Sequence, residues 1–252
     1  MIRYLSAIVF VAFLIQIIPA GASWGQSGEL DVKALVRKVE TQYQGEYSHS
    51  TATMTVVTEH WTRELVMEMW SEGRDKFIAT ILSPKKEQGT STLKIDEDMW
   101  NYLPKIDRLI KIPSSLMGDS WMGSHFTNDD LVKENKIDEL YNLSLNKHEG
   151  NIVIVDCLPK PDAAVVWGRI EYTVDLEKLI PIEVRYFDED GELVRTMTFD
   201  QVERVSGRWL PLHMVILPVE KPDERTELVY DNIEFDIVLE GDRFSLRSLR
   251  GR

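Results

Sequence analysis

The chain has 252 residues, a formal net charge of −13 at pH 7 and a single cysteine, Cys157. A chain this acidic is not steered electrostatically to nucleic acid or to anionic membrane surfaces. One cysteine excludes an internal disulfide and a zinc site built from several thiolates.

The first residues have the pattern of a secretory signal peptide. Arg3 precedes an apolar run from Leu5 to Ile18, and the small residues Ala20-Gly21-Ala22 follow. The run is shorter than the roughly 20 residues that a membrane-spanning helix needs, so we predict cleavage after Ala22 rather than retention as an anchor. Residues 1–22 are the predicted signal peptide and residues 23–252 a single domain. An exported chain without disulfides suits a bacterial periplasm.

An amphipathic helix is predicted from Glu29 to Gln44, because apolar side chains recur there at intervals of three, four and seven residues. Those side chains are Val32, Leu35, Val36, Val39 and Tyr43. Gly45 follows at the point where such a helix is expected to end.

Beyond Gly45, apolar and polar residues alternate with the period of two that is typical of β-strands, as in residues 168–176. Turn signals such as Glu72-Gly73 and Asp190-Gly191 separate the alternating runs, which favours hairpins. We count about ten or eleven strands with tight connections, and tight connections make neighbouring strands antiparallel. The predicted fold is mainly β with few helices, built on one large, strongly curved antiparallel sheet.

A long loop from Pro113 to Leu131 interrupts the strands, and loops of this length are commonly lids or binding loops. Thr127 and Asp130 have the spacing of a capping box, which predicts a short helix from about Asn128. The loop carries the large apolar residues Leu116, Met117, Trp121, Met122 and Phe126. These side chains need an apolar surface to contact: the core of the protein, a partner or a lipid.

The residues that catalysis or metal binding requires are sparse. The five histidines have no metal-ligand spacing, and Asp96-Glu97-Asp98 lacks the spacing of a calcium loop. Gly118-Asp119-Ser120 is similar to the nucleophile motif of one lipase class, but neither an Asp-x-x-His partner near the C-terminus nor a G-x-S-x-G elbow is present. The sequence therefore predicts a binding protein with no catalytic residue, metal or cofactor.

The chain is rich in methionine and tryptophan, with nine and seven residues respectively. Methionine is flexible and suits surfaces that accept variable apolar partners. One interpretation is that these residues fill a solid core. The other is a cavity, because one main helix cannot cover the whole concave side of a curved sheet.

Several segments together resemble the outer-membrane lipoprotein-sorting proteins of the LolA-like superfamily. They are Met99–Pro104, Arg108, Lys111–Pro113, Ser120–Ser124 and Phe126–Leu131. The resemblance implies an unclosed half-barrel, with the N-terminal helix and a helix-bearing lid loop over its concave face. It also implies an apolar groove for the acyl chains of lipids or lipoproteins, and an inner-membrane transporter of the resistance–nodulation–division type as partner.

On this resemblance we expect a non-enzymatic, monomeric periplasmic carrier that transfers acyl chains toward the outer membrane. The lid would be the five apolar loop residues named above, with Arg63 as a possible lid contact. The groove would be lined by Val56, Leu65, Met67, Phe77, Ile81, Trp100, Tyr102, Met197, Phe199 and Met214.

Two alternatives stay open. The first is a non-catalytic adaptor subunit of the transporter, with a filled core and no cargo. The second is a lipid-modifying enzyme that uses Ser120. The arginine-rich end, residues 243–252, is either a solvated terminus or a contact for a membrane partner or lipid headgroups.

Overall fold

A computed structural model describes residues 30–239 and 241–250, except for the side chain of Glu134. The predicted signal peptide lies outside the described residues. Within the described residues, thirteen strands form one antiparallel sheet, two or three more than the sequence indicated. Strands as short as the four residues of β6 show too little alternation to be recognised. The strands are β1 Tyr47–Val57, β2 Thr62–Glu72, β3 Lys76–Ser83, β4 Ser91–Ile95, β5 Asp98–Leu103, β6 Arg108–Lys111, β7 Tyr141–Glu149, β8 Ile152–Pro159, β9 Arg169–Asp175, β10 Ile180–Phe187, β11 Leu193–Val205, β12 Arg208–Pro218 and β13 Arg225–Phe235.

The strand order is β6-β5-β4-β3-β2-β1-β13-β12-β11-β10-β9-β8-β7. Two meanders are therefore joined through the antiparallel pair of β1 and β13. The outermost strands, β6 and β7, are not paired with each other, so the sheet is an unclosed half-barrel, as predicted. Because β6 and β7 are consecutive along the chain, the residues between them run from one edge of the sheet to the other.

The first helix, α1, spans Val32–Glu40 and continues as one 3-10 turn, Thr41–Tyr43. The side chain of Asp31 caps it by accepting a hydrogen bond of 2.9 Å from the backbone N–H of Ala34. Its buried face includes Leu35, Val36 and Val39, as the sequence indicated.

The connecting segment, residues 112–140, links β6 to β7. Thr127 and Asp130 form the predicted capping box: each side chain accepts from the other's backbone N–H, at 3.1 and 2.7 Å. The segment contains the 3-10 turns Ser114–Leu116, Trp121–Gly123 and Glu134–Lys136 and the helices α2 Asn128–Lys133 and α3 Ile137–Leu140.

Apolar side chains form two clusters, one on each face of the sheet. The main cluster joins the inner face to α1 and the connecting segment, through residues such as Val36, Met67 and Phe126. The second cluster lies on the other face of β3 to β5, where Phe244 and the C-terminal helix α4, Leu246–Arg250, cover Leu93. None of the helices in the described ranges is both long and apolar enough to cross a membrane.

Candidate functional site

A cavity of about 230 Å³ lies between the inner face of the sheet, α1 and the connecting segment. Most of its wall is apolar, and polar groups border only part of it. The apolar wall includes Val39, Tyr43, Met67, Met69, Phe77, Trp121, Phe126, Leu131, Tyr172, Phe199, Met214, Leu228, Tyr230 and Ile233. The polar part includes Glu40, Ser48, Ser50, Arg74, Lys94, Asp130 and Asn135.

The structure distributes the predicted groove residues over three places. Met67, Phe77, Phe199 and Met214 line the cavity. Trp100 and Tyr102 belong to the cluster on the opposite face, since side chains alternate along β5 and Met99 already points to the main cluster. The remaining four, Val56, Leu65, Ile81 and Met197, are buried in the main cluster beside the cavity.

The predicted lid residues lie on the connecting segment. Trp121 and Phe126 line the cavity with their rings edge to face, 6.3 Å between centroids. Met117 and Met122 pack against the main cluster, whereas Leu116 is 42% exposed.

Two contacts tie the start of the turn formed by residues 121–126 to the sheet. The indole Nε1 of Trp121 donates to Thr92 Oγ1 at 3.0 Å. Arg63, the possible lid contact, donates from Nη2 to the carbonyl oxygen of Met122, and its Nη1 lies 3.5 Å from Glu87 Oε2. Both contacts hold the connecting segment over the inner face of β2 and β4.

A second arginine, Arg195 on β11, also binds the connecting segment to the sheet. Sequence reasoning did not identify this residue. It is 3% exposed, its Nη2 lies 2.6 Å from Asp130 Oδ1, and its Nη1 donates to the carbonyl oxygen of His125 at 2.5 Å. The guanidinium carbon lies 4.4 and 4.2 Å from the ring centroids of Trp167 and Tyr186. The sequence does contain a signal for it. Arg195 shares its strand face with Met197 and Phe199, so a charged residue lies among apolar side chains on that face.

His125 joins the connecting segment to β13. Its Nδ1 lies 2.8 Å from Thr226 Oγ1, and its Nε2 lies 3.2 Å from Glu224 Oε2. The hydrogen bond from His125 is the main reason why the pKa of Glu224 is lower than usual.

Charged groups concentrate where β4 and the turn between β2 and β3 meet α1 and α3. Arg74 pairs with Glu40 at 3.4 Å and with Asp138 at 2.5 Å. Lys94 is 1% exposed, and its Nζ donates to the carbonyl oxygen of Arg74 at 2.8 Å. Burial is the main cause that lowers the pKa of Lys94 to about 8. Sequence reasoning missed Lys94 because a lone lysine in a short strand reads as a solvated residue.

Two further observations concern chemistry. Among the described residues, no group of three histidine, cysteine, aspartate or glutamate side chains could hold a metal ion. Ser120 is exposed on the connecting segment, where its backbone bridges to Thr127.

Comparison with known proteins supports the fold. The chain shares 22% identity with a domain from Vibrio parahaemolyticus described as an outer membrane lipoprotein-sorting protein, over 86% of this chain and 97% of that one, with a TM-score of 0.76. A DUF1329 family protein from Desulfovibrio piger also shares 22% identity, with the same coverage and a TM-score of 0.79. A LolA superfamily protein from Nitrosomonas europaea shares 15% identity over 85% and 97% of the two chains, with a TM-score of 0.72.

No curated protein matches the chain. A family model with the description "Uncharacterized protein" matches residues 73–251, which is most of the chain. The chain therefore belongs to that family, and its fold is that of the LolA-like lipoprotein-sorting proteins.

Proposed function

We propose that the protein is a non-enzymatic periplasmic carrier that binds acyl chains of lipids or lipoproteins in the cavity and transfers them toward the outer membrane. The observation that supports this most directly is an apolar cavity on the inner face of an open sheet, closed by a segment that spans both edges. The shared fold of two structures described as lipoprotein-sorting and LolA superfamily proteins adds to it.

The size of the cavity bears on how a carrier of this kind would load. At about 230 Å³ it is smaller than the roughly 300–1,000 Å³ of pockets that enclose drug-sized ligands. Each methylene buried contributes about 0.8 kcal/mol, so a carrier must bury most of an acyl chain to hold it in water. Full-length chains would therefore enter only when the connecting segment moves away from the sheet.

The connecting segment is suited to such a movement. It consists of short helices and single turns, and its ends are anchored to the two edge strands, β6 and β7. Its hold on the inner face includes a few polar contacts: Arg63 with Met122, Trp121 with Thr92, and Arg195 with Asp130. We propose that acyl chains take the place of Trp121 and Phe126 against the apolar wall of the cavity. The segment stays attached through the edge strands at its two ends.

The proposed route also requires export and a membrane partner. Export rests on the signal peptide predicted in residues 1–22, and we propose that the protein acts as a monomer. The proposed partner that supplies the acyl chains is an inner-membrane transporter of the resistance–nodulation–division type, on the family resemblance described above.

The proposal is tested by replacing Trp121 and Met122 together with glutamate and measuring binding of a fluorescent fatty acid. We expect binding to be lost while the far-ultraviolet circular dichroism of the sheet is kept, because two charges would face the apolar wall. Leu116→Glu is the matched control, since Leu116 is on the same segment but exposed. Native mass spectrometry of the purified protein should show bound lipid.

Unchanged fatty-acid binding in the double variant would contradict the proposal, as would a purified protein that carries no lipid and takes up none. The second result would favour an adaptor with a filled core.

A further inference from the structure

We propose that the ligand of the cavity carries an anionic head beside its alkyl chain, and that Lys94 binds this head. This inference rests on the proposed function and names the chemical class of the ligand. It assigns a binding role to the part of the wall where β4 and the turn between β2 and β3 meet α1 and α3.

Lys94 is a buried cation that borders the cavity. Its ammonium can donate three hydrogen bonds, and among the groups that the structure describes it has one acceptor, the carbonyl oxygen of Arg74 at 2.8 Å. Among the side chains that the structure describes, no carboxylate oxygen lies within 4.0 Å of this ammonium, which is the distance limit of an ion pair.

Each of the other charged side chains that border the cavity has a partner of opposite charge. Glu40 pairs with Arg74 at 3.4 Å, and Glu40 Oε1 also accepts from the backbone N–H of Ile137 at 3.0 Å. The partner of Asp130 is Arg195 at 2.6 Å, and Lys76 Nζ lies 2.9 Å from Glu72. Among the charged side chains described at the cavity wall, Lys94 therefore has no ion-pair partner, and this favours an anion over a cation or a neutral head.

A buried charge is costly unless it is paired. Burial lowers the pKa of Lys94, the cations Lys136 and Arg74 lower it further, and the carboxylates Asp75 and Asp96 raise it. With a pKa of about 8, Lys94 is still largely protonated at pH 7. An anion in the cavity would form an ion pair with Lys94 and offset the cost of burying its charge.

The surroundings of Lys94 place an alkyl chain next to this head. Phe77 is its cross-strand neighbour on β3 and also lines the cavity. Thr92, two residues earlier on the same face of β4, holds Trp121 of the connecting segment. A carboxylate or phosphate at Lys94 can thus continue directly into a chain that runs along Phe77, Met69 and Met67.

The test compares three ligands with the same chain, palmitate, hexadecyl phosphate and hexadecanol, on the delipidated full-length mature protein. Binding is measured by displacement of the neutral dye N-phenyl-1-naphthylamine. We expect Lys94→Met to lower the affinity for at least one of the two anions at least tenfold. The affinity for hexadecanol should change less than twofold. Lys111→Met is the control, because Lys111 is a strand lysine of β6 whose ammonium pairs with Asp98 at 2.8 Å.

The two anions separate the possible heads: loss of palmitate alone indicates a carboxylate, loss of hexadecyl phosphate alone a phosphate, and loss of both an unselective anion site. Palmitate binding should also weaken as the pH rises through about 8, while hexadecanol binding stays constant. If Lys94→Met does not fold, Lys94→Gln is measured in the same way.

Equal binding of both anions by the variant and the parent would overturn the inference, as would an equal loss of hexadecanol. In those cases the carrier proposal stands, because alkyl chains still bind. If none of the three ligands binds the parent protein, both proposals are wrong.

Discussion

Replacing Lys94 with methionine is expected to stabilise the unliganded protein, because the change removes a buried charge. A pKa lowered from 10.5 to about 8 means that holding the ammonium in the folded state costs about 3 kcal/mol. Methionine has a similar length and no charge, but it loses the hydrogen bond to the Arg74 carbonyl, worth about 1 kcal/mol. The net expected gain in the free energy of unfolding at pH 7 is about 2 kcal/mol.

The sign of the pH dependence follows from the direction of the pKa change. Lys94 has a lower pKa in the folded than in the unfolded protein, so the unfolded state binds more protons between about pH 8 and 10.5. The parent therefore carries the full penalty below pH 8 and loses it as the pH rises through that window. The advantage of Lys94→Met should be largest at pH 7 and close to zero at pH 10.

Urea unfolding followed by tryptophan fluorescence at both pH values measures this difference, with Lys111→Met as the control. A Lys94→Met protein that is less stable than the parent at pH 7 would refute the reasoning. So would an advantage of equal size at the two pH values, because it would come from packing rather than from the buried charge.

Arg195→Met should lower the free energy of unfolding by about 3–5 kcal/mol, because it leaves the buried carboxylate of Asp130 without its ion-pair partner. Urea unfolding measures this change, and a loss below about 1 kcal/mol would contradict the prediction. Arg63→Met should cost only about 1 kcal/mol but should speed backbone hydrogen exchange in residues 121–123, where no change would show that Arg63 does not hold the turn. Thr127→Ala should cost about 1 kcal/mol through the lost cap of α2, measured against Thr127→Ser, which keeps the hydroxyl. The lowered pKa of Glu224 means that its contact with His125 stabilises the protein above the unfolded pKa near 4.5 and is lost as the pH falls; Glu224→Gln should flatten the acid limb of a stability–pH curve, and an unchanged limb would show that the contact does not contribute.

Features that depend on neighbouring residues could be predicted from the sequence. The helix α1 follows from apolar residues at intervals of three and four, and the strands follow from alternation. The capping box of Thr127 and Asp130 needs only a spacing of three residues, and it forms as predicted. Tight turns between alternating runs were enough to predict an antiparallel sheet.

Features that join distant parts of the chain needed the tertiary structure. Alternation along β5 puts Trp100 and Met99 on opposite faces, but only the packing of the C-terminal residues showed which face lies away from the cavity. Arg195 meets Asp130 across 65 residues, and the buried ammonium of Lys94 meets the carbonyl oxygen of Arg74 across 20 residues. A charge in a strand has the same local pattern whether it is solvated or buried, because its free energy depends on the dielectric and the partners that remote segments bring to it.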